Sequence, residues 1–307
     1  MMSTVGMVSG SFATTFSLCG GKKWITRLGR NGISRSGSGA PAARGLKKSL
    51  AERTWESVGR KVNLVKLDSH AVSDDAGRLS IDAVLFDAGG VLVVPDPDVL
   101  APALGYYGAT DDRAAYIRAH YGAMAAKSRA GVGEDDWSHY NEAYVRLVGV
   151  PEHDCADAAF VLARTRHAHL WRTPLPGIVE ALRACETLGV PMGVVSNASG
   201  QIEDILRRSG VCQAGPGSLP SMRCIVDSHV VGITKPDPRI FDHALVHFTE
   251  IERGRIAYIG DSVTMDVGGA RAAGLTPVLI DPHDDAVDLV DCLRVRDVAH
   301  FVRQLSD

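Results

Sequence analysis

Four polar side chains stand where short apolar runs stop, and two more lie between such runs. Asp87 closes the run in VLFDAGGVLVV, Val84 to Val94, and is followed by Ala88, Gly89 and Gly90. Ser196 and Asn197 follow VPMGVV. Asp261 follows IAYI and one glycine, with Asp266 five residues later. Lys235 precedes the helix-like stretch DPRIFDHALVHF. Taken singly each has an ordinary reading: a turn residue for Asp87 or Asp261, a helix N-cap for Ser196, a surface lysine for Lys235. Taken together, two carboxylates, a hydroxyl and an ammonium at one edge of a sheet could bind a divalent metal and a phosphoryl group at once.

That joint placement requires a sheet whose strands end side by side. Five apolar runs have the length of strands buried on both faces: Ile81–Phe86, Val190–Val195, Cys224–Val226, Ile256–Ile259 and Pro277–Ile280. Amphipathic segments alternate with them: GIVEALRACETLG, SGQIEDILRRSG, DPRIFDHALVHF and VTMDVGGARAAG. Three of these end on Gly189, Gly210 and Gly274, suited to a helix C-cap. The alternation predicts an α/β fold with a doubly wound, parallel, Rossmann-like sheet. Ligands of such sheets bind beyond the carboxyl ends of the strands. About 100 residues separate the first run from the second, Ala-rich and helix-like over 98–170. A connection that long needs structure of its own, so an inserted α-helical cap is expected over 97–171, with the core formed by 79–96 and 172–307.

The chain has 307 residues, 45% of them hydrophobic and 22% charged, as in an ordinary globular protein. A net charge of -3 argues against a nucleic-acid or anionic-membrane partner. No apolar stretch approaches the roughly 18 residues of a membrane span. Six cysteines without a CxxC spacing read as reduced thiols, hence a cytoplasmic protein. Residues 1–50 hold eight basic residues and no acid, so the remainder carries 25 basic against 36 acidic residues. This Ser- and Gly-rich start belongs to a disordered extension over 1–78. An organellar transit peptide and a nucleic-acid tail are the competing readings. The sequence carries no signal for an oligomeric state.

The segments FDAGGVL, VVSNAS, VGITKPDPRIFDHAL and YIGDSVTMDVGGARAAG resemble, in this order, the four motifs of the haloacid dehalogenase superfamily. Their separations are similar to those of members with a helical cap between motifs one and two. The resemblance spans about residues 80–285. It implies a Mg²⁺-dependent phosphomonoester hydrolase acting on a small phosphorylated metabolite. Asp87 would be the nucleophile, forming an aspartyl-phosphate that water hydrolyses. The metal would be held by Asp87, Asp261 and the Gly89 carbonyl. Asp266 would ligate it through water or orient Lys235. Lys235, the Ser196 hydroxyl and the Asn197 N–H would bind the phosphoryl oxygens.

One position departs from the pattern. Phosphatases of the family usually carry a second Asp two residues after the nucleophile, which protonates the leaving group; here that residue is Gly89. Such help is worth roughly 10²–10⁴ in rate. Three explanations follow: an acidic leaving group such as a sugar 1-phosphate or acyl phosphate, a proton donor in the cap such as His120 or His139, or a different reaction. The family's 2-haloacid dehalogenases lack that Asp and need no metal, but usually carry an aromatic residue at the Gly89 position and lack the Gly-Asp-Ser of 260–262. A non-catalytic phosphometabolite-binding protein is the other alternative. Substrate choice is expected from cap residues, with Arg113, Arg118, His120, Tyr121, Arg129 and Trp137 as candidates.

Overall fold

The first strand, β1 (Ala83–Phe86), serves two cores at once. Val84 and Phe86 pack with Leu182, Val194 and Ile259 on one face, and Ala83 and Leu85 with Val195, Phe241 and Tyr258 on the other. A strand covered on both sides must be apolar throughout, which is why it reads as a continuous run. The computed structural model describes residues 80–165 and 169–306. The expected disordered extension over 1–78 therefore lies outside the described residues.

After β1 the chain forms β2 (Val93–Pro95) and then four helices, α1 (Pro97–Gly105), α2 (Arg113–Ala130), α3 (Ser138–Leu147) and α4 (Cys155–Thr165). It returns through β3 (Trp171–Pro174), which pairs antiparallel with β2. The core resumes with α5 (Ile178–Thr187), β4 (Met192–Ser196) and α6 (Ile202–Arg208), then the short pair β5 (Gln213–Ala214) and β6 (Ser221–Met222). Next come β7 (Ile225–Asp227), α7 (Ser228–Val231), α8 (Arg239–Leu245) and β8 (Ile256–Gly260). The chain ends with α9 (Gly268–Ala272), β9 (Thr276–Ile280), β10 (Leu293–Val295) and α10 (Val298–Ser306).

Six strands form one sheet in the order β10-β9-β8-β1-β4-β7, every pairing parallel. The chain runs outward from β1 through β4 to β7, then returns to the other side of β1 with β8. The switch point of this Rossmann-like sheet lies between β1 and β8, where doubly wound sheets bind ligands. Phe86 is in register with both Val194 and Ile259, so Asp87, Ser196 and Asp261 leave the sheet close together.

All five expected strands are present. The sixth, β10, and the β2–β3 ribbon were not legible, because they are three or four residues long, and polar residues interrupt β10 and β3.

The helical insertion has its own apolar cluster, including Leu104, Tyr116, Tyr144, Val145, Ala158 and Leu162. Its longest helix, α2, opens with the Asp112 carboxylate accepting from the Ala114 N–H at 3.0 Å. Gly131, in the left-handed conformation at φ 65°, closes it. Among the described residues no helix is long and apolar enough to cross a membrane.

Candidate active site

The floor of the site is built from strand ends. The Asp87 N–H donates to the Ile259 carbonyl at 2.8 Å, fixing the turn after β1 against β8. The Asp87 carboxylate accepts from the Ala88 N–H at 2.7 Å. Its oxygen also lies 2.9 Å from Lys235 Nζ. Lys235 is only 1% exposed, so the surface-lysine reading fails. Its three N–H donors are all used: by Asp87, by Asp266 Oδ1 at 2.7 Å and by the Tyr258 hydroxyl at 2.8 Å. Tyr258 in turn donates to the Val195 carbonyl at 2.7 Å. Asn197 grips the Lys235 backbone from both sides, accepting from its N–H at 2.8 Å and donating to its carbonyl at 3.1 Å. Ser196 is buried at the end of β4 and faces the same cavity.

Asp266 lies in a π-helical turn, Val263–Val267, between β8 and α9. That turn aims its Oδ2 at the N–H groups of Asp261 (3.0 Å) and Ser262 (2.9 Å). Both oxygens of Asp266 are thus engaged within the protein, one by Lys235 and one by the loop that carries Asp261.

Burial and crowding set the charges. Desolvation pushes the Asp87 carboxyl up to about 7; Lys235 opposes this, while Asp266 and Asp261 add to it. Asp261 is also raised by burial, against the pull of His120. Burial alone would lower Lys235, but the charges of Asp266 and Asp87 prevail and hold it above the ordinary lysine range. Carboxylate oxygens of Asp87, Asp261 and Asp266 all lie within 4.8 Å of one another. Three hard oxygen donors, two of them with raised proton affinity, suit a cation such as Mg²⁺. Asp87 and Asp261 fit direct ligation best, since both Asp266 oxygens already accept hydrogen bonds.

The walls come largely from the insertion. A cavity of about 350 Å³ opens above Asp87, Lys235 and Asp261, bounded by Met124, Lys127, Glu134, Trp137, Trp171 and Ile205. Lys127 Nζ sits 3.6 Å from the centre of the Trp137 ring. Glu134 Oε2 accepts from Asn197 Nδ2 at 3.2 Å. His120 is fully buried; its Nε2 lies 2.6 Å from Asp261 Oδ2, and its Nδ1 3.0 Å from the Tyr140 hydroxyl. The Tyr121 hydroxyl donates to the Gly90 carbonyl at 2.9 Å. Gly90 has φ 68°, and a side chain there would strike Asp261 and His120. At Gly89 the obstruction is Trp171, whose ring lies 2.9 Å from where a Cβ would stand.

The structure therefore brings together Asp87, Gly89, Ser196, Asn197, Lys235, Asp261 and Asp266 around one cavity. Of the insertion candidates, Trp137 faces that cavity and His120 lies behind Asp261. His139 is exposed and outside it. Arg118 instead holds Asp285 through two bonds of 2.6 and 2.9 Å, Arg129 pairs with Asp288 and Arg113 with Asp98. Arg118 and Arg129 thus tie the insertion to the loop after β9 and do not reach the cavity. Sequence reasoning missed Glu134, Lys127, Trp171 and Tyr258. Tyr258, a hydroxyl inside an apolar strand, carried a signal; the other three are placed by long-range contacts alone.

A family model for haloacid dehalogenase-like hydrolases matches residues 81–274. The chain belongs to this family. Bovine haloacid dehalogenase-like hydrolase domain-containing protein 3 is 39% identical over 116 residues, 37% of this chain and 43% of the relative. Pyrimidine 5'-nucleotidase YjjG of Escherichia coli K12 is 30% identical over 112 residues, 36% of this chain and 46% of the relative. These matches span less than half the length of either relative. A solved HAD phosphatase from Thermococcus onnurineus aligns with a TM-score of 0.47 at 21% identity, over 73% of this chain and 98% of that one. The family's four sequence motifs fall, in this haloacid dehalogenase-like chain, on the strand ends and loops that converge on the cavity floor.

Proposed function

We propose that the protein is a Mg²⁺-dependent phosphomonoester hydrolase of small metabolites, with Asp87 as the nucleophile. The observation that carries this reading is the buried group of Asp87, Asp261 and Asp266 beside Lys235 at the sheet's switch point. Three carboxylates converge there on one ammonium and the His120 imidazole, leaving carboxylate oxygens to hold a cation. The nucleotidase relative points the same way.

In this reading Asp87 and Asp261 hold the metal, joined by the Gly89 carbonyl. When bound, Mg²⁺ supplies charge neutralisation that lets a carboxylate approach a phosphoryl group. Lys235 lies against Asp87 and stabilises charge on the phosphoryl oxygens. Ser196 and the Asn197 N–H hold those oxygens for in-line attack. Asp266 orients Lys235 and the Asp261 loop. The four-helix insertion acts as the cap and excludes water from the cavity. The cavity volume suits a small metabolite.

One observation favours a second reading, a 2-haloacid dehalogenase type of hydrolase. Trp171 places an aromatic ring where a Gly89 side chain would stand, close to the place where the dehalogenases carry an aromatic residue of their own. The buried acidic cluster weighs against it.

The test is phosphate release from a panel including p-nitrophenyl phosphate and sugar 1-phosphates, with Mg²⁺ or EDTA, beside Asp87→Asn. Metal-dependent release lost in Asp87→Asn supports the phosphatase. Halide release from 2-haloacids, unaffected by EDTA, supports the dehalogenase instead.

A further inference from the structure

The residue two after the nucleophile cannot supply a proton, and its space is taken by Trp171. A leaving oxygen must then find its acid elsewhere in the cavity wall. The floor offers none: Asp87 attacks, Asp261 is bonded to His120, Asp266 has both oxygens engaged and Lys235 is spent on three acceptors. In the wall stand Glu134, Lys127 and His169. His169 pairs with Ser199 Oγ at 3.2 Å in an exposed contact. The Lys127 ammonium is held over the Trp137 ring, 4.0 Å from Glu134.

Glu134 differs from both. It belongs to the link between α2 and α3, and its side chain is 29% exposed. Its contact with Asn197 puts it one residue from Ser196, where the phosphoryl oxygens would rest. Burial raises its proton affinity above that of an ordinary glutamate. Lys127, the Asn197 amide and Lys235 oppose that rise, and Asp266 adds to it. A carboxyl that faces the cavity and binds its proton more tightly than an ordinary glutamate is suited to hand a proton to a leaving oxygen.

We propose that Glu134 is the general acid–base of this site. The inference rests on the phosphatase reading. In the first step an Asp87 oxygen bonds to phosphorus while the bond to the leaving oxygen breaks, and the Glu134 proton passes to that oxygen. In the second step Glu134, now a carboxylate, takes a proton from water as the water oxygen bonds to phosphorus and the bond between phosphorus and the Asp87 oxygen breaks. Inorganic phosphate leaves, and Asp87 and protonated Glu134 are restored.

The experiment compares single-turnover and steady-state rates of Glu134→Gln and the parent with two esters and Mg²⁺. An alkyl phosphate needs protonation on leaving; p-nitrophenyl phosphate, with its acidic phenol, does not. We expect alcohol release from the alkyl ester to fall roughly 10²–10⁴-fold. The first turnover of p-nitrophenol should stay within about threefold of the parent, followed by slow steady-state release as the aspartyl-phosphate waits for its base. An equal loss on both esters, or no loss on either, overturns the role of Glu134 while leaving the phosphatase reading intact. Absence of Mg²⁺-dependent turnover of any ester by the parent chain overturns the phosphatase reading, and the inference with it.

Discussion

The floor and the wall of this cavity are built by different rules. Each floor residue sits at or just beyond a strand end or in a short motif, and backbone register alone brings Asp87, Ser196 and Asp261 together. The wall is assembled from a separate apolar cluster and held to the core by a few polar links from α2: His120 to Asp261, Tyr121 to Gly90 and Arg118 to Asp285. A floor fixed by the sheet is rigid and suited to chemistry. A wall hung on side-chain contacts can vary without disturbing the sheet, and is suited to selecting substrates.

Substitutions should separate the two. Asp87→Asn is expected to reduce turnover by at least roughly 10³-fold with little change in fold, measured as phosphate release and circular dichroism. A variant that keeps a tenth of the activity removes Asp87 from its role. Lys235→Met should be the most damaging floor change to stability. It strands Asp87 and Asp266 without their buried counter-charge, at a cost of about 3–5 kcal/mol in urea unfolding.

Wall changes other than at Glu134 should act on selectivity. Trp137→Ala is expected to raise KM several-fold and reorder the preferred esters while kcat on p-nitrophenyl phosphate changes less. A fall in kcat equal to that of a floor variant would erase the distinction.

Thermal unfolding across pH sharpens the floor's electrostatics. The folded Asp87 carboxyl retains its proton up to about 7, well above its usual 3.8. The folded state therefore binds more protons in between, and metal-free stability falls as pH rises from about 4 to about 7. Asp87→Asn should flatten that decline, worth a few degrees in Tm at pH 8. Mg²⁺ should raise Tm more in the parent than in the variant. The smallest expected effect is Arg118→Ala, whose partly exposed pair with Asp285 contributes about 1 kcal/mol or less.

The same division explains what could be read from the sequence. A strand buried on both faces must be apolar, so a polar residue at its end stands out, and the floor residues were legible one by one. Lys235 was legible only through its motif, since nothing in TKPDP shows that the ammonium is buried against Asp87 and Asp266. In the insertion, aromatic and basic residues recur on every face of α2 and α3, so periodicity cannot sort cavity from core from surface. Arg118 and Trp137 look equally available in the sequence, yet one holds a loop and the other lines the cavity. Trp171 illustrates the limit: it reaches Gly89 from a strand 82 residues further along the chain.

That contact also couples two positions far apart in the chain. An Asp introduced at position 89 meets the Trp171 ring, so it cannot be accommodated unless that ring shifts. Positions 89 and 171 are therefore coupled: the room for a side chain at one is set by the ring at the other. A second carboxylate beside the nucleophile would thus have to arrive together with a shifted ring or a smaller side chain at 171.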